Sequence, residues 1–154
     1  MSQIDERLTA LGIEIPQQAA APAGAYVPAT ISGNLVYTAG QLPFIDGKLP
    51  LTGKVGGAVS AEDAQGLART SAINALAAIA AVLGSLDRIT RVVKVTGFVA
   101  SDPSFTGQAG VLNGASHLLG DIFGDAGVHS RSAVGVAVLP LDSPVEVELI
   151  VEFA

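Results

Sequence analysis

The sequence predicts an α+β fold, one sheet carrying two helices on one face in the order β-β-α-β-α-β-β. Three observations lead there. Two stretches repeat apolar residues at helical spacings of three and four. Two C-terminal stretches alternate apolar and polar residues with period two. Gly33-Asn34 and Asp46-Gly47 sit between β-prone runs, where short hairpins place such pairs. At 154 residues, 49% hydrophobic and 14% charged, the chain can bury one sizeable core. Residues 1–154 are therefore expected to form a single domain, with 1–21 as a lead segment.

Ile4, Leu8 and Leu11 lie at i, i+4 and i+7, which predicts a short amphipathic helix. Ala19 to Ala25, bracketed by Pro16 and Pro22, reads as an extended lead-in. Ile31 to Thr38 reads as a hairpin or a bent strand with a Gly33-Asn34 turn, and Phe44 to Leu49 carries the short hairpin signal Asp46-Gly47. Ser60 before Glu62 and Asp63 is a helix N-cap with acids in the first turn. Ile73, Leu76, Ala80 and Leu83 continue that helix, and Gly84 ends it with positive φ.

Val-rich Arg91 to Ala100 reads as a strand. Asp102-Pro103 then looks like an N-cap followed by proline, opening a helix over 103–123 on the stripe Phe105, Ala109, Leu112, Ser116, Leu119 and Phe123. Two strands close the chain around a turn at Pro140 to Pro144. In Ser132 to Leu139, Val134, Val136 and Val138 share one face, and small Ala133, Gly135 and Ala137 the other. In Val145 to Phe153 the odd positions are apolar, while Glu146, Glu148 and Glu152 oppose them. A tight turn there suggests antiparallel pairing of the last two strands. That pairing would keep Glu146 away from Arg131 within one subunit. The sheet face without helices must meet water or another subunit.

Composition narrows the chemistry. The absence of cysteine removes disulfides, thiolate metal sites and a cysteine nucleophile. Aromatics are 5% against abundant Gly, Ala and Val, so the core should be built from small residues at close approach. The first 16 residues carry Asp5, Glu6, Arg7 and Glu14, unlike a signal peptide, and the apolar run Ala75 to Leu83 is too short to span a bilayer. A cytoplasmic location without membrane association is expected. With a net charge of -6 and eight scattered Lys and Arg, the chain has no basic stripe for a nucleic-acid partner.

No phosphate loop, dinucleotide fingerprint, paired-histidine helix or nucleophile elbow is present. His117 and His129 stand alone and read as structural or solvated. Arg131 is the charge that stands out, because Ala126 to Leu141 holds no other. It is either a solvated arginine, a partner for a nearby acid, or a carboxylate clamp, since a guanidinium fork matches a carboxylate in bidentate fashion. Glu146, Glu148 and Glu152 have the spacing of an ordinary wet strand face.

His129-Ser130-Arg131-Ser132-Ala133, running to Leu139-Pro140 and followed by Pro144-Val145-Glu146-Val147-Glu148, resembles the C-terminal signature of the reactive intermediate deaminase (Rid, or YjgF) family. Val36-Tyr37-Thr38-Ala39-Gly40-Gln41-Leu42-Pro43 resembles its other hallmark, and the likeness spans roughly Pro22 to Ala154. The resemblance implies a chorismate-mutase-like fold and a homotrimer with sites at subunit interfaces. It implies no metal or cofactor, and hydrolysis of 2-imino or 2-enamine acids to 2-keto acids and ammonia.

By position, Arg131 then corresponds to the carboxylate-binding arginine and Glu146 to the acid that positions or activates water. Tyr26 resembles the aromatic of the early loop and Asn113 the asparagine of the second helix. Gly40 and Ala133 match positions offering backbone groups to the ligand. Ala39 replaces a frequent serine, Ala133 a frequent cysteine, Val27-Pro28 a frequent Ser-Gln, and the lead segment is long, marks of a divergent branch. The alternative function is a non-enzymatic trimeric module binding small keto acids or other carboxylates.

Overall fold

A computed structural model describes residues 2–154. The lead segment forms α1 (Gln3–Leu11), capped by Ser2, whose hydroxyl accepts from the Asp5 amide, and ended by Gly12 at φ 67°. Then follow β1 (Ala29–Ser32), β2 (Leu35–Thr38), α2 (Ala61–Leu83), β3 (Ile89–Ala100), α3 (Gln108–Phe123), β4 (Ser130–Val136) and β5 (Val145–Phe153). α1 is the short helix expected from Ile4, Leu8 and Leu11, and the remaining elements follow the predicted order. The five strands form one sheet in the order β1-β2-β5-β3-β4.

The turn chemistry behaves as its residues dictate. Gly33 takes φ 61° between β1 and β2, and Asp46-Gly47 takes φ 51° and 77°, the double positive φ of a tight hairpin turn. Ser60 caps α2 by accepting from the Asp63 amide, and Gly84 ends it at φ 81°.

Two expectations are corrected. Asp102-Pro103 does not open α3. The Asp102 carboxylate accepts from both the amide and the hydroxyl of Ser104, and the amide of Phe105 donates to the Asp102 carbonyl. The chain therefore closes a turn at Asp102, and α3 starts only at Gln108, after Gly107. An Asp-Pro pair serves a turn as well as it serves a cap.

Nor do the last two strands pair with each other. β4 runs parallel to β3, reached by the crossover through α3, while β5 runs antiparallel to β3 on its other side. β4 ends at Val136 rather than Leu139, so the connection to β5 is long enough to pass over β3. Within it Leu141 and Asp142 both adopt positive φ, and Asp142 is fixed by an ion pair with Lys54 and by the amide of Gly53 donating to its carbonyl.

α2 and α3 lie on the sheet face that carries Val36, Val95, Val99, Val147, Leu149 and Val151, and this layer is the core. By length and apolarity alone α2 could cross a membrane, yet most of its apolar surface is buried as the central core helix. Small residues set the spacing of the layers. Gly97 has the side chain of Leu112 where a Cβ would sit, and Gly114 of α3 rests against the backbone carbonyl of Gln65 on α2. The opposite sheet face bears no helix. By register it carries Tyr37, Glu146, Glu148, Ile150, Thr96, Phe98, Ser132 and Val134.

Candidate functional site

Arg131 is the second residue of β4 and lies opposite Val95, so its side chain leaves the sheet on the helix side. β4 is an edge strand, and α3 runs alongside. Ala109, Asn113 and Ser116, at i, i+4 and i+7, form one stripe of that helix, and all three receive the guanidinium. Nη1 donates to Asn113 Oδ1 at 2.9 Å and to Ser116 Oγ at 3.1 Å, and Nη2 donates to the Ala109 carbonyl at 3.1 Å.

Of the five N–H groups of an arginine, these bonds use three. The remaining two, on Nε and Nη2, have no partner among the described residues, and Nε and Nη2 share the edge that a carboxylate takes side-on. No carboxylate pairs with Arg131 among the described residues, where the ion pairs are Lys54–Asp142 and Arg91–Glu152. A half-buried cation is thus held by neutral acceptors with one donor edge left for an anion. Neither a freely solvated arginine nor one paired with a nearby acid fits this arrangement.

Ala133, two residues on, faces the same side opposite Gly97 and packs against the core. Asn113 and Arg131, singled out from the sequence, are thereby in direct contact. Sequence reasoning missed Ser116 as a partner and gave His129 no role. His129 Nε2 lies 2.9 Å from Ser116 Oγ, and its Nδ1 lies 2.6 Å from the Gly127 carbonyl. The available signal was that His129 sits two residues before Arg131 and Ser116 three after Asn113, the spacings that share a strand face and a helix face.

Glu146 lies elsewhere. It pairs by register with Phe98, three positions along β3 from the partner of Arg131, and projects from the helix-free face. At about 3.3 Å per residue and 4.8 Å per strand, its backbone is roughly 14 Å from that of Arg131. The two stay apart within one chain, as expected, although through interposition of β3 rather than through a hairpin.

Gly40 sits directly against Glu146: a Cβ there would overlap the Glu146 carboxyl. The reciprocal amide–carbonyl bonds between Gln41 and Val147 hold the two together. Asn74 of α2 donates to the carbonyls of Leu42 and Phe44 at 3.0 Å each, fixing the segment just beyond. Burial pushes the Glu146 carboxyl above the usual glutamate range, and the charge of Glu148 raises it further. Glu148 is itself raised by burial.

Tyr26 belongs to neither cluster. It precedes β1, at the sheet edge opposite β4, and its hydroxyl accepts from the Ala23 amide within its own loop. Four strand spacings, roughly 19 Å, separate those edges. The sequence-selected residues therefore occupy three places on one chain: Arg131, Asn113 and Ala133 at one edge, Glu146 and Gly40 in the middle, Tyr26 at the other edge.

A family model described as "YjgF/chorismate_mutase-like, putative endoribonuclease" matches residues 5–153. Protein TCP17 of Trypanosoma cruzi is 44% identical over 151 residues, covering 97% of this chain and 94% of that protein. The crystal structure of Atu1372 from Agrobacterium tumefaciens, of unknown function, is 47% identical, covers 98% of this chain and 92% of its own, and superposes with a TM-score of 0.90. Escherichia coli TdcF with bound serine is 29% identical, covers 90% and 96%, and gives a TM-score of 0.66. Motifs, strand order and these likenesses agree, and the chain belongs to the YjgF/chorismate-mutase-like family.

Proposed function

We propose that this protein hydrolyses reactive 2-imino and 2-enamine acids to 2-keto acids and ammonia, as a homotrimer whose sites form between subunits. The observation that carries the reading is the unspent Nε/Nη2 edge of Arg131, a half-buried cation with neutral partners and no counter-ion. Serine, bound in the TdcF structure, carries an α-carboxylate and an adjacent nitrogen, the same head group as a 2-imino acid.

In this reading Arg131 takes the substrate carboxylate side-on. Each hydrogen bond to a charged group contributes about 1.5–3 kcal/mol, so two can dominate recognition. Glu146 of a neighbouring subunit holds water against C2. The water oxygen bonds to C2, the C=N π electrons move to nitrogen, and Glu146 accepts the water's proton. That proton then passes to nitrogen, giving a carbinolamine. Glu146 next carries the proton of the carbinol hydroxyl to the same nitrogen, the C–N bond breaks, and ammonia leaves as the carbonyl forms. A carboxyl raised by partial burial is a stronger base near neutral pH than an ordinary glutamate. The imine is already electrophilic, so placement supplies most of the acceleration.

A second reading is a binder without turnover. One observation favours it: the Arg131 edge can take a carboxylate within a single chain, while Glu146 lies across the sheet. Hydrolysis of 2-iminopropanoate, followed as pyruvate formation, separates the two. Arg131→Ala should lower kcat/KM by about two orders of magnitude or more, and Glu146→Gln should lower kcat. An Arg131→Ala protein as fast as the parent ends the clamp assignment. Tight 2-ketobutyrate binding without any turnover by the parent selects the binder.

A further inference from the structure

We infer that Ser116 and His129 are positioning residues for Arg131, linked to it in a directed hydrogen-bond chain that holds the carboxylate-binding edge outward. The inference rests on the reading of Arg131 as a carboxylate clamp.

With a neutral imidazole, every direction in the chain follows from which atoms can donate. A carbonyl oxygen can only accept, so the 2.6 Å contact between Gly127 O and His129 Nδ1 requires a proton on Nδ1. A neutral imidazole then has a bare Nε2, which accepts. Ser116 Oγ stands 2.9 Å from that nitrogen and also 3.1 Å from Arg131 Nη1, which can only donate. The serine oxygen therefore accepts from arginine while its proton goes to histidine. The sequence runs Arg131 Nη1 to Ser116 Oγ to His129 Nε2, and His129 Nδ1 to Gly127 O. Each member polarises the next, so the chain is stronger than its separate bonds.

The far end is closely packed. Gly127 is buried, and a Cβ there would strike the Leu119 carbonyl of α3, so only glycine brings this segment so close to the helix. From that end, the imidazole holds the hydroxyl and the hydroxyl holds one N–H of Nη1. Asn113 holds the other. Both N–H groups of Nη1 are thus committed, and the guanidinium cannot turn about its own axis to spend Nε or Nη2 elsewhere. Without the imidazole acceptor the serine hydroxyl can rotate, point its proton at the cation, and cease to accept from it.

The test measures the dissociation constant of 2-ketobutyrate for the assembled protein by calorimetry, with the melting temperature as a fold control. Arg131→Ala is the reference for the clamp itself. Ser116→Ala and His129→Phe should each weaken binding about tenfold, the effect of one hydrogen bond to a charged group. The double variant should be no weaker than either single one, because both cut the same chain. His129→Gln, which offers an acceptor near the Nε2 position, should recover binding to within about threefold.

A His129 or Ser116 with a merely structural role would lower the melting temperature, give additive losses in the double variant, or leave binding unchanged. Any of these while Arg131→Ala abolishes binding overturns the positioning chain alone. Unchanged binding in Arg131→Ala overturns the clamp reading instead.

Discussion

Gly40 and two glutamates, Glu146 and Glu148, lie at the centre of the sheet. Because Gly40 lies where any Cβ would overlap the Glu146 carboxyl, Gly40→Ala should swing that carboxyl away. The expected outcome is a lower kcat at nearly unchanged 2-ketobutyrate affinity, read by comparing turnover with calorimetric binding. Glu146 and Glu148 share a strand face, and both are raised, Glu146 by burial and then by the Glu148 charge, Glu148 by burial. The sign follows. A carboxyl raised in the native state stabilises the fold fully below its unfolded value, about 4.5, and that contribution is lost as pH rises through the folded value. Activity runs the other way, since the base must be ionised: kcat should fall as pH drops through the raised value. Glu148→Gln should move this acid limb to lower pH by removing the neighbouring charge, and a pH–rate profile that does not move would refute the coupling. Isolation in an uncharged stretch singled out Arg131 but left a solvated, an ion-paired and a clamp reading open; the resemblance favoured the clamp and pointed to Asn113. Ser116 and His129 were not legible, because their offsets from Asn113 and Arg131 mark shared faces without saying that this strand and this helix meet there.

Helices, hairpins and caps were readable because each is encoded locally, by Ser60, Gly84, Gly33 and Asp46-Gly47. Asp102-Pro103 misled because one side chain can satisfy either a turn or a helix start, and Ser104 decided for the turn. Strand direction was hidden for a different reason: an eight-residue link over 137–144 resembles a loose hairpin until a third strand is known to lie between its ends. The packing of α3 on α2 depends on Gly114, which has the Gln65 carbonyl against it, while the Gln65 side chain donates to the Gly110 carbonyl at 2.8 Å. A backbone carbonyl cannot move aside as a side-chain tip can. Gly114→Ala should therefore cost about 1–3 kcal/mol, measured as a lower denaturation midpoint. Because α3 carries Ala109, Asn113 and Ser116, the same substitution should also weaken carboxylate binding. An unchanged midpoint would show that the helices separate freely.

Across the molecule, Tyr26, Glu146 and Arg131 lie at one edge, the middle and the other edge of a single sheet. The helix-free face carries Phe98, Ile150, Tyr37 and Val134 among Glu146, Glu148, Thr96 and Ser132, a mixed surface on which the proposed assembly would seat a second copy. On the proposed assembly Arg131 of one subunit meets Glu146 of the next. Coexpressed Arg131→Ala and Glu146→Gln chains, each inactive alone, should then regain activity, since about a quarter of randomly assembled interfaces draw both intact residues. No recovery in mixed trimers would place both residues of a site on one chain.

The position of β5 carries one more consequence. It is the last strand in the chain and the central strand of the sheet, bonded to β2 on one side and β3 on the other. During synthesis the β1–β2 hairpin and the β3–α3–β4 crossover can each form as the ribosome releases them, but they cannot be joined. Their facing edges stay open until Val145–Phe153 emerges, and pairings between residues more than a hundred apart, such as Val36 with Val151, must then close together. Such non-local closure is slow, and open edges invite pairing with the wrong strand. β5 thus acts as a late wedge: Arg131 and its partners on α3 can assemble with the crossover first, and Glu146 arrives with the strand that completes the sheet.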